Sequence, residues 1–341
     1  MERTFNVAIV GATGLVGEAM LEILEQRDFP VGELFLLAGE RSAGKSLQFR
    51  DKSHKVGLLE NFDFSQVEIV LFSAGSDVSM QYAPIAADAG CVVIDNTSCF
   101  RYDPDIPLVI PEVNPEMVGE YRNRGIIANP NCSTIQMLMA LAPIHRQVGI
   151  DRINVSTYQA VSGSGRKAVE ELAGQTARLL NGLSIDPDVY PKQITFNVLP
   201  QIDAMQDNGY TREEMKMVLE TQKILGDESV RVNPTCVRVP VFFGHSESLH
   251  VETREPISAQ DVRELLEVMP GVEVVDEPED EGGFATPVTD GVGKDDVFVS
   301  RIREDISSPS GINMWVVSDN VRKGAALNSI QIAELLIQQY L

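Results

Sequence analysis

Short apolar runs alternate with longer segments of helical period through the first third of the chain. Residues 34–38, 68–75, 91–96 and 125–128 are largely apolar runs of strand length, and residues 5–10 alternate weakly. Such apolar runs are what strands buried on both faces require, which is the habit of parallel sheets. Residues 19–25 and 80–89 carry apolar positions at helical spacing between them. The repeat of strand and helix predicts a doubly wound α/β domain of Rossmann type over residues 1–127.

Beyond residue 150 the texture changes. Residues 153–159, 236–241, 248–253, 297–303 and 312–317 alternate apolar and polar positions, as half-exposed strands do. Helical patterns at 165–182, 211–225 and 258–268 lie between some of them. This predicts an α+β domain over 128–320 with a mixed, largely antiparallel sheet. One sheet face would rest on helices and the other would be free, a common basis for a homodimer. The last segment, 321–341, has helical periodicity and is expected to pack back on the first domain.

Composition narrows the function. The chain has 341 residues, 43% of them hydrophobic and 23% charged, which suits a globular protein of two domains. No apolar run approaches the roughly 20 residues of a membrane span. The first strand begins almost at Met1, leaving no room for a signal peptide, so a cytoplasmic protein is expected. Four cysteines and four histidines show no metal-ligand spacing, and no metal is expected. A net charge of −22 argues against nucleic acid or an anionic membrane as partner. An anionic substrate would then depend on a few local cations. The acidic run 276–283 reads as a solvated loop.

Candidate chemistry starts at the first strand's end. Gly11, Gly14 and Gly17 sit between that strand and a helix, where glycines let a backbone approach a pyrophosphate. The GxxGxxG spacing also fits a plain strand-to-helix turn. After the second strand, Arg41, Ser42 and Lys45 suit a ribose 2′-phosphate, with Glu40 a contrary signal, so NADP is favoured over NAD. Cys132 follows Asn129, Pro130 and Asn131 and opens a long apolar helix. A thiol in a first helical turn faces unpaired backbone N–H groups and the positive helix end, which favour the thiolate. Position alone leaves two readings, a reactive thiolate or an inert core cysteine. Of the histidines, His245 lies in an expected bend between strands. His54 falls in a polar loop, His145 late on a helix and His250 within a strand.

Several separated stretches together are similar to aspartate-β-semialdehyde dehydrogenases of the bacterial type. They are residues 11–17, 41–45, 95–101, 129–134, 159–166, 213–216, 238–240, 244–245 and 319–326, in that order. The resemblance implies NADPH-dependent reduction of L-4-aspartyl phosphate to aspartate semialdehyde and phosphate through a cysteine thioester. That step serves the biosynthesis of lysine and diaminopimelate, threonine, methionine and isoleucine. It implies Cys132 as nucleophile, His245 as acid/base and Gln159 as the residue orienting the thioester. Arg101, Asn131 and Lys216 correspond to phosphate or substrate contacts. Glu213 corresponds to the holder of the substrate amino group and Arg238 to the carboxylate clamp. Gly11, Thr13, Gly14, Leu15, Val16, Arg41, Ser42, Ser162, Gly163 and Asn320 correspond to cofactor contacts. Thr97, Cys99 and Ser164 depart from the usual residues without removing a functional group. An N-acetyl-γ-glutamyl-phosphate reductase and a non-catalytic paralogue are the alternatives.

Overall fold

The computed structural model describes residues 3–277, 279 and 281–341. Met1 and Glu2, and Pro278 and Asp280 of the acidic run, lie outside the described residues. Two compact units emerge, one of residues 1–131 with 325–341 and one of residues 132–324.

The first unit is built on β1 (Phe5–Val10), α1 (Leu15–Gln26), β2 (Val31–Ala38), β3 (Ser46–Phe49), β4 (Lys52–Leu58), β5 (Ile69–Phe72), α2 (Ser76–Asp88), β6 (Val92–Asp95) and β7 (Ile126–Ala128). The sheet order is β3-β4-β2-β1-β5-β6-β7. All pairs are parallel except the β3–β4 hairpin at the edge. That hairpin was not evident from the pattern, because its strands are short and polar, as an edge permits. It contains His54, which is therefore a strand residue and not a loop residue. β1, β5 and β6 are almost wholly buried, which explains why most of their residues are apolar.

The second unit contains α3 (Cys132–Val148), β8 (Ile150–Gln159), α4 (Arg166–Leu180), α5 (Arg212–Leu225), β9 (Arg231–Arg238), β10 (His245–Thr253), α6 (Ala259–Glu267), β11 (Val272–Val274), β12 (Val297–Glu304) and β13 (Gly311–Ser318). Its sheet runs β11-β12-β13-β10-β8-β9, antiparallel through the middle and parallel at both ends. The strand expected at 236–241 is displaced toward the N-terminus and stops at Arg238. Pro240, which has no N–H for a ladder, lies just beyond it. α3, α5 and α6 pack on one face of this sheet. On the other face Tyr158, Thr235 and Ser248 are exposed, and Tyr158 stacks on Trp315 at 5.4 Å between ring centroids. Asp276, at the head of the acidic run, is no solvated side chain. Its carboxylate accepts from Arg263 Nε at 2.8 Å and from the Arg301 N–H at 2.7 Å.

The last helix, α7 (Leu327–Gln339), belongs to the first unit, where Leu327, Ile330, Ala333 and Leu336 join the core of β1, β5 and β6. The expected helix starts later than its periodicity suggests, since residues 322–326 form a wider π-type turn before it. No helix among the described residues is long and apolar enough to cross a membrane.

Candidate active site

Strand register assembles the polar residues of the second unit. Directly opposed residues on neighbouring strands share a sheet face. His245 opposes Ser318, Gln159 opposes Arg238, and the pairing of Ser246 with Tyr158 sets His245 beside Gln159. Ser318, His245, Gln159 and Arg238 thus form one row across four strands, at the sheet end that faces α3. All four are buried. His245 is the first residue of β10, so the expected bend precedes it and ends at Gly244, whose φ is +88°.

Hydrogen bonds tie the row together. Gln159 Nε2 donates to Ser133 Oγ at 3.0 Å and to Glu213 Oε1 at 3.2 Å. With its amide nitrogen so engaged, Gln159 turns its carbonyl oxygen toward Arg238 Nη1, 3.5 Å away. Arg238 Nη1 also donates to the Ala160 carbonyl at 2.7 Å, while its Nε is buried without a partner among the described residues. The Ala160 N–H donates to His245 Nδ1 at 3.1 Å. Because the Nδ1 lone pair is engaged, the proton of the neutral ring resides on Nε2. That Nε2 is buried and has no partner among the described residues.

Burial pushes the His245 ring down to about 3, with the Arg238 guanidinium adding to the effect. Glu213 and the Gly244 backbone act in the opposite direction. At neutral pH the ring is a neutral hydrogen-bond donor rather than a cation. Gly163 packs against both groups, since a Cβ there would lie 3.0 Å from Arg238 Nη1 and 3.4 Å from His245 Nε2.

Glu213 and Lys216 owe their positions to the start of α5. Thr211 and Glu214 form a capping box, and Glu214 Oε1 also accepts the Cys236 N–H at 3.0 Å. One turn of helix then puts Glu213 and Lys216 on the same face. Lys216 Nζ lies 2.9 Å from Glu213 Oε2 and 3.2 Å from Asp203 Oδ2. The lysine is therefore already balanced by carboxylates, and Arg238 is the more fully buried cation of the pair.

Cys132 is a half-buried cysteine outside any disulfide and the first residue of α3. Gly324 lies against it, because a Cβ at Gly324 would come within 2.8 Å of Cys132 Cβ. Asn320 ties two approaching loops together. Its Oδ1 accepts the Gly244 N–H at 2.9 Å, and its Nδ2 donates to Ser162 Oγ at 3.0 Å. These bonds make Asn320 a brace for the Ser162–Gly163 turn.

The other expected site residues belong to the first unit. Gly11 has φ of +89°, and a Cβ there would sit 2.9 Å from Ala74 N. At Gly17 a Cβ would lie 2.3 Å from the Gly11 carbonyl oxygen, so α1 can approach β1 this closely only through glycine. α1 is capped by Gly14 without a side-chain bond, leaving the N–H groups of Leu15 and Val16 toward any phosphate beside Thr13. This is a cradle of the kind a pyrophosphate needs. Arg41 is exposed and Ser42 half-buried in the turn after β2. Arg101 and Asn131 are buried. Arg101 Nη2 donates to the Asn96 carbonyl at 2.9 Å and Nε to the Thr97 carbonyl at 3.1 Å.

Some participants were not singled out from the sequence. Ser133 holds the Gln159 amide, and its only signal was adjacency to Cys132. Glu247 lies one row inward from His245, opposite Thr157 and Val316, and is fully buried near Gln136 and Ser133. Burial drives its carboxyl well above the usual range, favouring the neutral acid. An acidic residue two positions after His245 in an alternating strand was a legible sign, since i and i+2 share a face.

Two family models match the chain. The semialdehyde dehydrogenase NAD binding domain covers residues 6–121, and the semialdehyde dehydrogenase dimerisation domain covers residues 141–323. The chain is 63% identical over 340 residues to aspartate-semialdehyde dehydrogenase 2 of Vibrio cholerae, covering 100% of both. It is 50% identical to the Bacillus subtilis aspartate-semialdehyde dehydrogenase over 98% of each. Among solved structures, the aspartate semialdehyde dehydrogenase II of Vibrio cholerae complexed with ASA superposes with a TM-score of 0.98 at 62% identity, over 100% of both chains. The Candida albicans enzyme with NADP gives 0.76 at 27% identity, over 98% of this chain and 99% of that one.

Proposed function

The chain belongs to the semialdehyde dehydrogenase family, and we propose that it reduces L-4-aspartyl phosphate to L-aspartate 4-semialdehyde and phosphate with NADPH. The observation that carries the chemistry is the register row of His245, Gln159 and Arg238 in the unit that Cys132 opens.

In this reading the Cys132 thiolate attacks the acyl carbon of the substrate. The carbon–sulfur bond forms as the carbon–phosphate-oxygen bond breaks, and phosphate leaves with that electron pair. Arg101, Asn131 and Lys216 receive the phosphate. Arg238 holds the α-carboxylate, its buried Nε being a donor that no described protein acceptor satisfies. Glu213 receives the substrate ammonium. Gln159 contacts the thioester and keeps its orientation. NADPH, when bound, supplies the hydride that converts the thioester carbon to the aldehyde level. His245 Nε2–H donates to the oxyanion that forms there, and collapse of the tetrahedral centre returns the thiolate and frees the aldehyde.

Gly11, Thr13, Gly14, Leu15 and Val16 would hold the cofactor pyrophosphate, and Arg41 with Ser42 the 2′-phosphate. Ser162, Gly163 and Asn320 would serve its nicotinamide end. The test is the reverse reaction, followed as reduction of NADP or NAD by aspartate semialdehyde plus phosphate. Turnover that demands N-acetylglutamate semialdehyde instead would overturn the substrate assignment. Arg41→Ala is expected to weaken NADPH about tenfold or more while barely changing NADH, as loss of a charge-assisted phosphate contact does. Equal losses for the two would argue against 2′-phosphate recognition.

The exposed sheet face with Tyr158, Thr235 and Ser248 is the surface through which two copies would pair. Sedimentation at micromolar concentration is expected to give the mass of a dimer, and a monomer would refute it.

A further inference from the structure

The two candidate phosphate ligands of the first unit, Arg101 and Asn131, sit on segments that leave adjacent strands. β6 ends at Asp95 and runs into the 96–101 loop, while β7 ends at Ala128, paired with Asp95, and runs into residues 129–131. The course of the main chain sets where the arginine fork stands, because the Asn96 and Thr97 carbonyls accept from its Nη2 and Nε. Thr97 is in turn fixed by the buried Asp95. Its N–H donates to Oδ1 at 3.0 Å and its hydroxyl to Oδ2 at 2.8 Å.

A second hold on both segments comes from far along the chain. Ser329 Oγ donates to Asn96 Oδ1 at 3.0 Å. Asn328 Nδ2 donates to Asn129 Oδ1 at 2.7 Å and to the Val109 carbonyl at 3.0 Å. Both residues are fully buried in the first turn of α7, among Leu327, Ile330 and Ala333, which fill the core. A helix that served only as core would carry apolar side chains at these positions. Burying an amide and a hydroxyl costs free energy unless each finds a partner. Here Ser329 finds its partner on the first segment, and Asn328 finds one on the second and another at the Val109 carbonyl.

We propose that Asn328 and Ser329 are positioning residues, a clasp that holds the Arg101 loop and the segment leading to Asn131 at the spacing phosphate requires. The proposal rests on the phosphate-site reading above. The clasp touches no substrate. It acts by limiting the freedom of the groups that do, so that less order is lost when the anion binds. The last helix thereby becomes part of the reaction machinery as well as of the core.

The test is steady-state kinetics in the phosphorolytic direction with the full chain. Ser329→Ala and the isosteric Asn328→Asp, which replaces the donor with an acceptor, are each expected to raise the KM for phosphate about fivefold or more. The KM for aspartate semialdehyde and the affinity for NADP should stay within about twofold. Lowered thermal stability with an unchanged phosphate KM would overturn the clasp and leave the pair as core polar groups. Arg101→Ala is the control on the underlying reading. If it leaves the phosphate KM unchanged, the phosphate site itself is misassigned. If it raises that KM while both clasp variants do not, only the clasp fails.

Discussion

Cys132→Ala is expected to abolish NADP reduction by aspartate semialdehyde plus phosphate, with the protein still folded and still able to bind NADP. The sulfur carries the acyl group between two steps, and no other group of the second-unit row can take its place. Cys236, the other cysteine of that unit, is fully buried, and burial raises its thiol well above the ordinary range. The measurement is the initial rate of absorbance gain at the NADPH band, alongside a thermal melt. Full residual turnover would end the thioester mechanism. The small-to-smaller change at a half-buried site should disturb the fold little, which lets the kinetic loss be read as chemistry.

His245→Asn should lower turnover by ~10²–10⁴-fold, as removal of a proton-transfer group does. An unchanged rate would reassign the role. The protonation state adds a second, independent signature. The folded ring is held near 3 by burial and by Arg238, whereas in the unfolded chain it titrates near its ordinary 6.5. Between those values the unfolded chain binds a proton that the folded chain refuses. The stability due to the neutral ring is therefore complete above about 6.5 and falls as pH drops toward 3, at about 1.4 kcal/mol per pH unit. The difference in unfolding free energy between the parent and His245→Asn should vary with pH in that window and be flat above it. A difference that stays constant from pH 7 to pH 4 would contradict the buried neutral ring.

The geometry also bears on what His245 can do. Its Nδ1 accepts from Ala160, so the ring cannot carry protons on both nitrogens without giving up that bond. Donation from Nε2 to a developing oxyanion needs no such rearrangement. Accepting a proton at Nε2 needs the Ala160 contact to open, which makes the backbone at residue 160 part of the acid/base cycle.

Much of the architecture was legible because it follows from local periodicity. β1, β5 and β6 are almost wholly buried and so had to be written mostly in apolar residues. The helix at Cys132 had to begin beyond Pro130, and the glycine turn had to keep Gly11 and Gly17 free of side chains. Net charge set a requirement for local cations, and order along the chain carried the family resemblance. The β3–β4 hairpin escaped because polar edge strands lack a strong period, and the buried role of Asp276 escaped because an acidic run reads as solvent-facing unless its partner is known.

Tertiary structure decided the remainder. Only pairing across β13, β10, β8 and β9 puts Ser318, His245, Gln159 and Arg238 in one row. Only packing of α3 on that sheet turns the Gln159 amide toward Ser133 and leaves its carbonyl to Arg238. The protonation state of His245 depends on which atoms exclude water from it, and the clasp depends on partners more than 190 positions away in the chain. Periodicity is a property of neighbours in sequence, whereas desolvation, register and hydrogen-bond direction are properties of neighbours in space.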